Sequence, residues 1–390
     1  MNKEEKRAMT IQRLVSLILT AVLLFATVPV AMAEEAEEDK PTLMTCGDWQ
    51  YAVSKDGGAE LRSYCGHGGE IMIPDELDGH PITAVKENPF ADLKETYTLV
   101  VSENHPYLAV IDGMLFGKTD HRLISYPKGR TGDSCAVPEG TETIGAFAFA
   151  FCNLHVVMLP ESVTSIEKGA FSKCNFLELI TLPDSLTSIG EDAFYHCESL
   201  RAVTIPDGVT SIGRFAFNRC SALASVTLPN SITSIGDRTF ESCYSLHAVT
   251  IPDSVTSIGD SAFCRCNSLQ AVTIPDSVTS IGDRAFYFCD SLRAVTIPDG
   301  VTSIGRSVFY SCRKMTSVTI PDSVTSIGQM AFDGCTGLAE LTIPDSVTSI
   351  AESAFDYCPN LILTVTAGSD AETYCQTHGL NYVTADTDGK

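Results

Sequence analysis

The chain is poor in positive charge. It has 26 lysines and arginines against 49 aspartates and glutamates in 390 residues, a formal charge of −23. Such a surface is repelled by phosphate backbones and anionic lipid, which excludes nucleic acid as a partner. Beyond residue 33 there is no second long apolar run, no C-terminal anchor and no LPxTG-like sorting signal. Catalytic spacings are missing too. No G-x-S-x-G elbow, H-E-x-x-H pair, phosphate-cradling glycine loop or C-x-x-C pair occurs, and the eight histidines are scattered. No enzyme and no cofactor is expected.

The N-terminus carries an address. Lys3, Lys6, Arg7 and Arg13 precede the apolar "LVSLILTAVLLFATVPV", and Ala31-Met32-Ala33 offers a signal-peptidase site. Residues 1–33 read as a signal peptide, with no cysteine at the cut for a lipid anchor. The product is expected to be extracellular, with cell-surface association open, without membrane insertion after cleavage, and a monomer. Residues 34–45, beginning "EEAEEDK", read as an acidic, disordered start.

The rest of the chain repeats one phrase. Prolines recur every 23 residues from Pro160 to Pro344, with Pro138 preceding at 22, the missing residue falling in "CNLHVV". A fixed period in the low twenties marks a solenoid whose coils must stack to bury their apolar faces. Each unit reads L-x-x-V-T-I-P-D-S-V-T-S-I-G-x-x-A-F-x-x-C. Val203 and Ile205 alternate with Thr204 as in a strand with one buried face; Pro206 closes it, Asp207 and Gly208 supply the turn, and "VTSI" makes a second extended piece. Phe217 fills the core, and Cys220 is a small apolar filler beside it.

This unit resembles the BspA-type class of leucine-rich repeat. "IMIPDELDGHPITAVKENPFADL" resembles that family's degenerate first repeat, with Leu93 in the place of the cysteine, and "HPYLAVIDGMLFGKTDHRLISYPKG" resembles its irregular insert. The resemblance implies a repeat solenoid, mostly β and loop with little helix, with a parallel β-sheet on a concave face. It also implies an exported protein that binds partners, since family members are associated with adhesion to host matrix proteins and epithelial cells and with bacterial coaggregation.

The expected organisation places an N-terminal β-hairpin cap at 46–70, turning at Asp56-Gly57-Gly58 with Trp49 in its first strand. A degenerate repeat and irregular insert follow at 71–137, then ten regular 22- or 23-residue repeats at 138–362. A C-terminal helical cap and tail occupies 363–390, its helix opened by Ser369 and stopped by Gly379.

Ten of the fifteen cysteines stand in register: Cys152, Cys174, Cys197, Cys220, Cys243, Cys266, Cys289, Cys312, Cys335 and Cys358. Stacked neighbours have parallel Cα–Cβ vectors about 4.8 Å apart, too far for a bridge, so they read as buried free thiols. Cys135 falls on a core position, and Cys375 on the helix faces the last coil. Cys46 and Cys65 bracket the hairpin and form the one disulfide candidate. Cys264, just after Phe263, is expected to be exposed and is the candidate reactive thiol, the basis of an alternative as a thiol-dependent enzyme.

Variable columns are where a solenoid is free to carry specificity. One follows the strand-opening leucine and includes Arg201, His247, Gln270 and Arg293; two follow the phenylalanine and include Tyr195, Tyr287 and Tyr310 with Lys173, His196, Arg219, Arg265 and Phe288. Tyrosine and arginine are frequent interface anchors. The Asp column after the prolines reads as turn chemistry rather than a calcium site, and the Thr column as exposed strand residues. The expected function is non-enzymatic adhesion to host or neighbouring-cell surface or matrix proteins. An extracellular glycan-binding or scaffold accessory is the alternative, so the partner is an extracellular protein or glycan.

Overall fold

The structure, a computed structural model, describes residues 42–130 and 132–385. The signal peptide expected over 1–33, most of the acidic start and the last five residues lie outside them. No described helix is long and apolar enough to cross a membrane.

Each regular coil lays down two short strands. In Ala202–Thr204 the outer residues are exposed and Val203 is buried. Pro206 ends that strand, Val209 drops into the core, and Ser211–Ile212 forms the second. Equivalent strands of successive coils pair in parallel and in register, Ala202 with Ser225 and Ser188 with Ser211. The result is two parallel ladders, each in hydrogen-bonded segments, wrapped round a single core.

The small polar letters of the repeat tie most coils to the one before. Ser277 Oγ donates to the Val255 carbonyl at 2.7 Å, and Thr279 Oγ1 to the Thr256 carbonyl at 3.3 Å. The register cysteines do the same from inside: Cys197, Cys220, Cys243 and Cys266 each donate Sγ–H to the phenylalanine carbonyl 26 residues earlier, at 3.1 to 3.2 Å. The sequence identifies these thiols as buried and small but misses their work as donors. The repeat glycine has a different reason. A Cβ on Gly282 would lie 2.6 Å from the Asp260 nitrogen, so glycine there lets the backbones of adjacent coils nearly touch, while Glu167 and Ala351 hold the same place in two other coils.

Down the middle runs a column of phenylalanines, Phe149 to Phe355, with ring centroids 4.9 to 5.6 Å apart. Burying each contributes roughly 1.5–3 kcal/mol. Tyr126 stacks on its first ring at 5.1 Å, and Tyr374 meets its last edge-on at 6.2 Å. Tyr374 belongs to the helix Asp370–His378, whose first turn is capped by Ser369 Oγ accepting from the Glu372 nitrogen at 3.1 Å. Gly379 ends it with φ 66°, and Cys375 is buried against the last coil. The tail then adds Asn381–Ala385 in parallel to Ile362–Thr366, a strand that the sequence reading left as tail.

At the other end Trp49–Val53 and Ala59–Tyr64 pair antiparallel, but not as an isolated hairpin. Leu43–Cys46 joins on one side and His80–Val85 on the other, in a five-stranded sheet. Trp49 rests 5.9 Å from Phe90. The Leu93 nitrogen bonds the Phe90 carbonyl at 3.0 Å, as the register cysteine nitrogens from Cys152 to Cys335 bond their own phenylalanines. The irregular insert is a three-stranded meander, Leu108–Ile111, Met114–Gly117 and Arg122–Ser125, whose last strand starts the second ladder by pairing with Thr143–Ile144.

Candidate ligand-binding face

Two residues of nearly every regular coil take the left-handed conformation, and both are non-glycine in most coils. One stands immediately before the register cysteine: Phe151, Lys173, His196, Arg219, Ser242, Arg265, Phe288, Ser311 and Tyr357, with φ of 55° to 63°. The other stands two before the phenylalanine, as at Phe215, Arg238 and Arg284. The conformation costs about 1–2 kcal/mol for a residue with a Cβ, and no member of either column is β-branched, which would raise that cost. Neighbouring backbone holds the bend: the Arg219 nitrogen donates to the Glu241 carbonyl at 2.7 Å, and the Lys173 nitrogen to the Tyr195 carbonyl at 2.6 Å. These side chains stand along one corner of the solenoid.

Cations and rings meet along that corner. Lys173 Nζ lies 4.7 Å over the Phe151 ring. Arg219 Nη1 is 3.0 Å from His196 Nε2, and His196 Nδ1 is 3.1 Å from Glu198, a set satisfied by a neutral imidazole accepting from arginine and donating to glutamate. Tyr287 and Tyr310 stack at 4.8 Å, Phe288 turns its edge to Tyr310 at 5.4 Å, and Arg313 reaches over Phe288 at 6.0 Å. Arg214 and Arg238 lie over Phe215 at 5.4 and 5.3 Å. The sequence reading missed Arg214, Phe215, Arg238 and Arg284. The signal was available, since the column two before the phenylalanine is also free of β-branched residues.

The position right after the phenylalanine lies between the two left-handed residues, and the bend tucks it inward. This corrects the expectation for Cys264: it is 5% exposed, not a surface thiol. Burial pushes it up to about 12, with Glu241 adding to the effect and Arg265, Arg284 and Arg238 opposing it. Asn218 and Asp333 of the same column are buried as well, whereas Tyr195, Tyr287 and Tyr310 remain half-buried because their rings outreach the bend.

The other variable column is separate. Arg201, His247, Gln270 and Arg293 are exposed at the leading edge of the first ladder, and Arg201 pairs with Glu178 at 3.0 Å. Among the described residues no hydrogen bond, ion pair or ring contact joins this edge to the corner, because the register cysteines and the strand-opening leucines lie between them. The outward residues of the ladder itself are small, Ala and Thr in most coils. Cys46 and Cys65 are free thiols. Cys46 is half-buried, and its hydrogen bond to the Asp78 side chain pushes it up, while Cys65 is exposed. Among the described residues no group of three or more His, Cys, Asp or Glu is arranged to hold a metal ion. In the Asp column, Asp207 Oδ1 instead accepts from the Asn230 nitrogen of the next coil at 3.0 Å.

A family model described as "BspA type Leucine rich repeat region (6 copies)" matches residues 142–270 and 256–375. No curated protein matches. Among solved structures, the chain is similar to a leucine rich cell surface protein from Faecalibacterium prausnitzii, at 27% identity over 86% of this chain and 97% of that one, TM-score 0.44. It is also similar to a leucine-rich repeat protein from Bacteroides ovatus, at 22% identity over 88% and 100%, TM-score 0.45. A third is the pneumococcal vaccine antigen PcpA, at 14% over 89% and 99%, TM-score 0.40.

Proposed function

We propose, since the chain belongs to the BspA-type leucine-rich-repeat family, that it is an extracellular, non-enzymatic binding protein that adheres to surface or matrix proteins of a host or neighbouring cell. The observation that carries this reading is the corner strip. On a chain of formal charge −23, arginines and aromatic rings, the side chains most often found as interface anchors, collect along one line of left-handed positions. Holding large side chains in that conformation costs free energy, and nothing in the core requires them to be large, since Ser242 and Ser311 occupy the same column. The leader read at 1–33 supports export.

A second reading, an extracellular glycan-binding accessory, is favoured by the half-buried stacked pair Tyr287 and Tyr310, which brings two aromatic side chains together at the surface. The test is binding of residues 34–390 to an array of matrix proteins and glycans. Saturable binding to a matrix protein supports adhesion; glycan-only binding moves the role to the accessory. Changing Arg219, Arg265 and Arg313 together to Glu should weaken the binding at least tenfold. The edge triple Arg201, His247 and Arg293 to Glu separates the two strips: if it alone abolishes binding, the corner is the wrong face.

A further inference from the structure

Where the irregular N-terminal segment meets the first regular coil lies a cavity of about 560 Å³. It sits at a coil that is a residue short. After Cys152 comes Asn153 and then the core Leu154, where the next coil has Cys174-Asn175-Phe176-Leu177. Asn153 and Leu154 line the opening.

The lining has three chemistries at once. Cations are held in place by rings and carbonyls. Lys128 Nζ donates to the Ala91 and Leu93 carbonyls at 2.9 and 2.7 Å and stands 4.9 Å over Phe151, while Arg130 lies over Tyr126 at 5.1 Å. Lys94 is exposed at the rim, and Lys173 approaches the same Phe151 ring from outside. Carboxylates are present as well, Asp92 and Asp133. The third is the aromatic surface of Tyr126 and Phe151. Burial disfavours the charged form of Lys128, and a bound anion would relieve this.

We propose that this cavity binds a single acidic sugar unit, a uronic or nonulosonic acid, carried on a glycan. The cations match a carboxylate. Asp92 and Asp133 are exposed at the opening, Asp133 3.9 Å from His155, and sugar hydroxyls can donate to them in place of water, which an inorganic anion without donors cannot do. A neutral sugar leaves the cations unmatched. The volume falls within the ordinary range of small-molecule sites, about 300–1,000 Å³. The site shares Phe151 with the first end of the corner strip, but Lys94, Lys128 and Arg130 lie outside the strip, so it stands if Arg219, Arg265 and Arg313 prove inert.

The experiment is saturation-transfer NMR and calorimetry on residues 34–390 with galacturonic acid and N-acetylneuraminic acid, each beside its neutral methyl ester. Sulfate and an acetylated Asp-Glu dipeptide serve as competitors. At least one acid should bind saturably, and its ester at least tenfold more weakly. Lys94→Glu and Phe151→Ser should each weaken the acid tenfold or more at an unchanged melting temperature, since Lys94 is exposed and serine already occupies the Phe151 position in two later coils. The proposal is overturned if neither acid binds, if ester and acid bind alike, if both variants bind as wild type, or if sulfate or the dipeptide binds more tightly than either sugar.

Discussion

The thiol of Cys289 donates to the carbonyl oxygen of Phe263 in the preceding coil at 3.2 Å, and that oxygen also accepts from the Cys266 nitrogen at 3.2 Å. The phenylalanine carbonyl is buried, so both its lone pairs are met by protein. A cysteine does what an alanine or leucine in its place could not.

Cys289→Ala removes that donor and leaves a small void. It should destabilise the solenoid by about 1–3 kcal/mol, read from the shift of a urea midpoint at constant m-value. An unmoved midpoint would mean that the thiol is an inert filler.

Thiol reactivity should separate the cysteines sharply. The nucleophile is the thiolate, and a thiol pushed up to about 12 stays protonated through pH 7–10. Treating the native protein with a disulfide reagent at pH 8 should therefore label exposed Cys65 quickly and leave Cys264 unlabelled until the chain is unfolded. Cys65→Ala should remove the fast phase. Labelling of native Cys264 at the rate of Cys65 would show that the bend does not bury it.

The glycine column predicts a steric penalty. Gly282→Ala places a Cβ 2.6 Å from the Asp260 nitrogen, so two coils must part, at about 1–3 kcal/mol. Ala351 holds the same place in the last regular coil, so Ala351→Gly should change the midpoint far less. Equal effects at the two positions would sink the close-approach explanation.

Asp333 is buried in the column after the phenylalanine, and burial first, then Asp356, pushes its carboxyl up. A carboxyl with its folded pKa above its unfolded one penalises folding when ionised. The penalty is full at neutral pH, shrinks as pH falls through the raised pKa, and vanishes below the ordinary 3.8. Asp333→Asn should raise the melting temperature at pH 7 and leave it near wild type below pH 3.8. A gain of the same size at both pH values would exclude titration as its cause.

Most of the architecture was legible because the repeat shows it many times over. Val203 and Thr204 announce a one-faced strand, Pro206 its end, and Phe217 the core; Ser369 and Gly379 mark the helix ends. Less legible were features made by contact between coils. The lack of β-branched residues in the columns of Ser261 and Arg265 shows only when the repeats are compared, and it does not show that the left-handed bend draws Cys264 inward. Nor does the sequence show that Phe215 will lie between Arg214 and Arg238, which are 24 residues apart in the chain and neighbours only across the stack. The cavity beside Phe151 was half legible: the one-residue shortfall after Cys152 stands in the sequence, but the lysines that surround it come from a segment with no repeat.

By itself the sequence determined the solenoid, its period and its core, since periodic burial needs no partner beyond an identical neighbour. Tertiary structure alone decided which side chains face one another across coils: the carbonyl that each thiol meets, the side chains that crowd Cys264, and the cations that share Phe151. Those relations depend on backbone bends and a coil spacing of about 5 Å, distances at which hydrogen bonds and ring contacts are either made or lost, and no linear pattern in one coil records them.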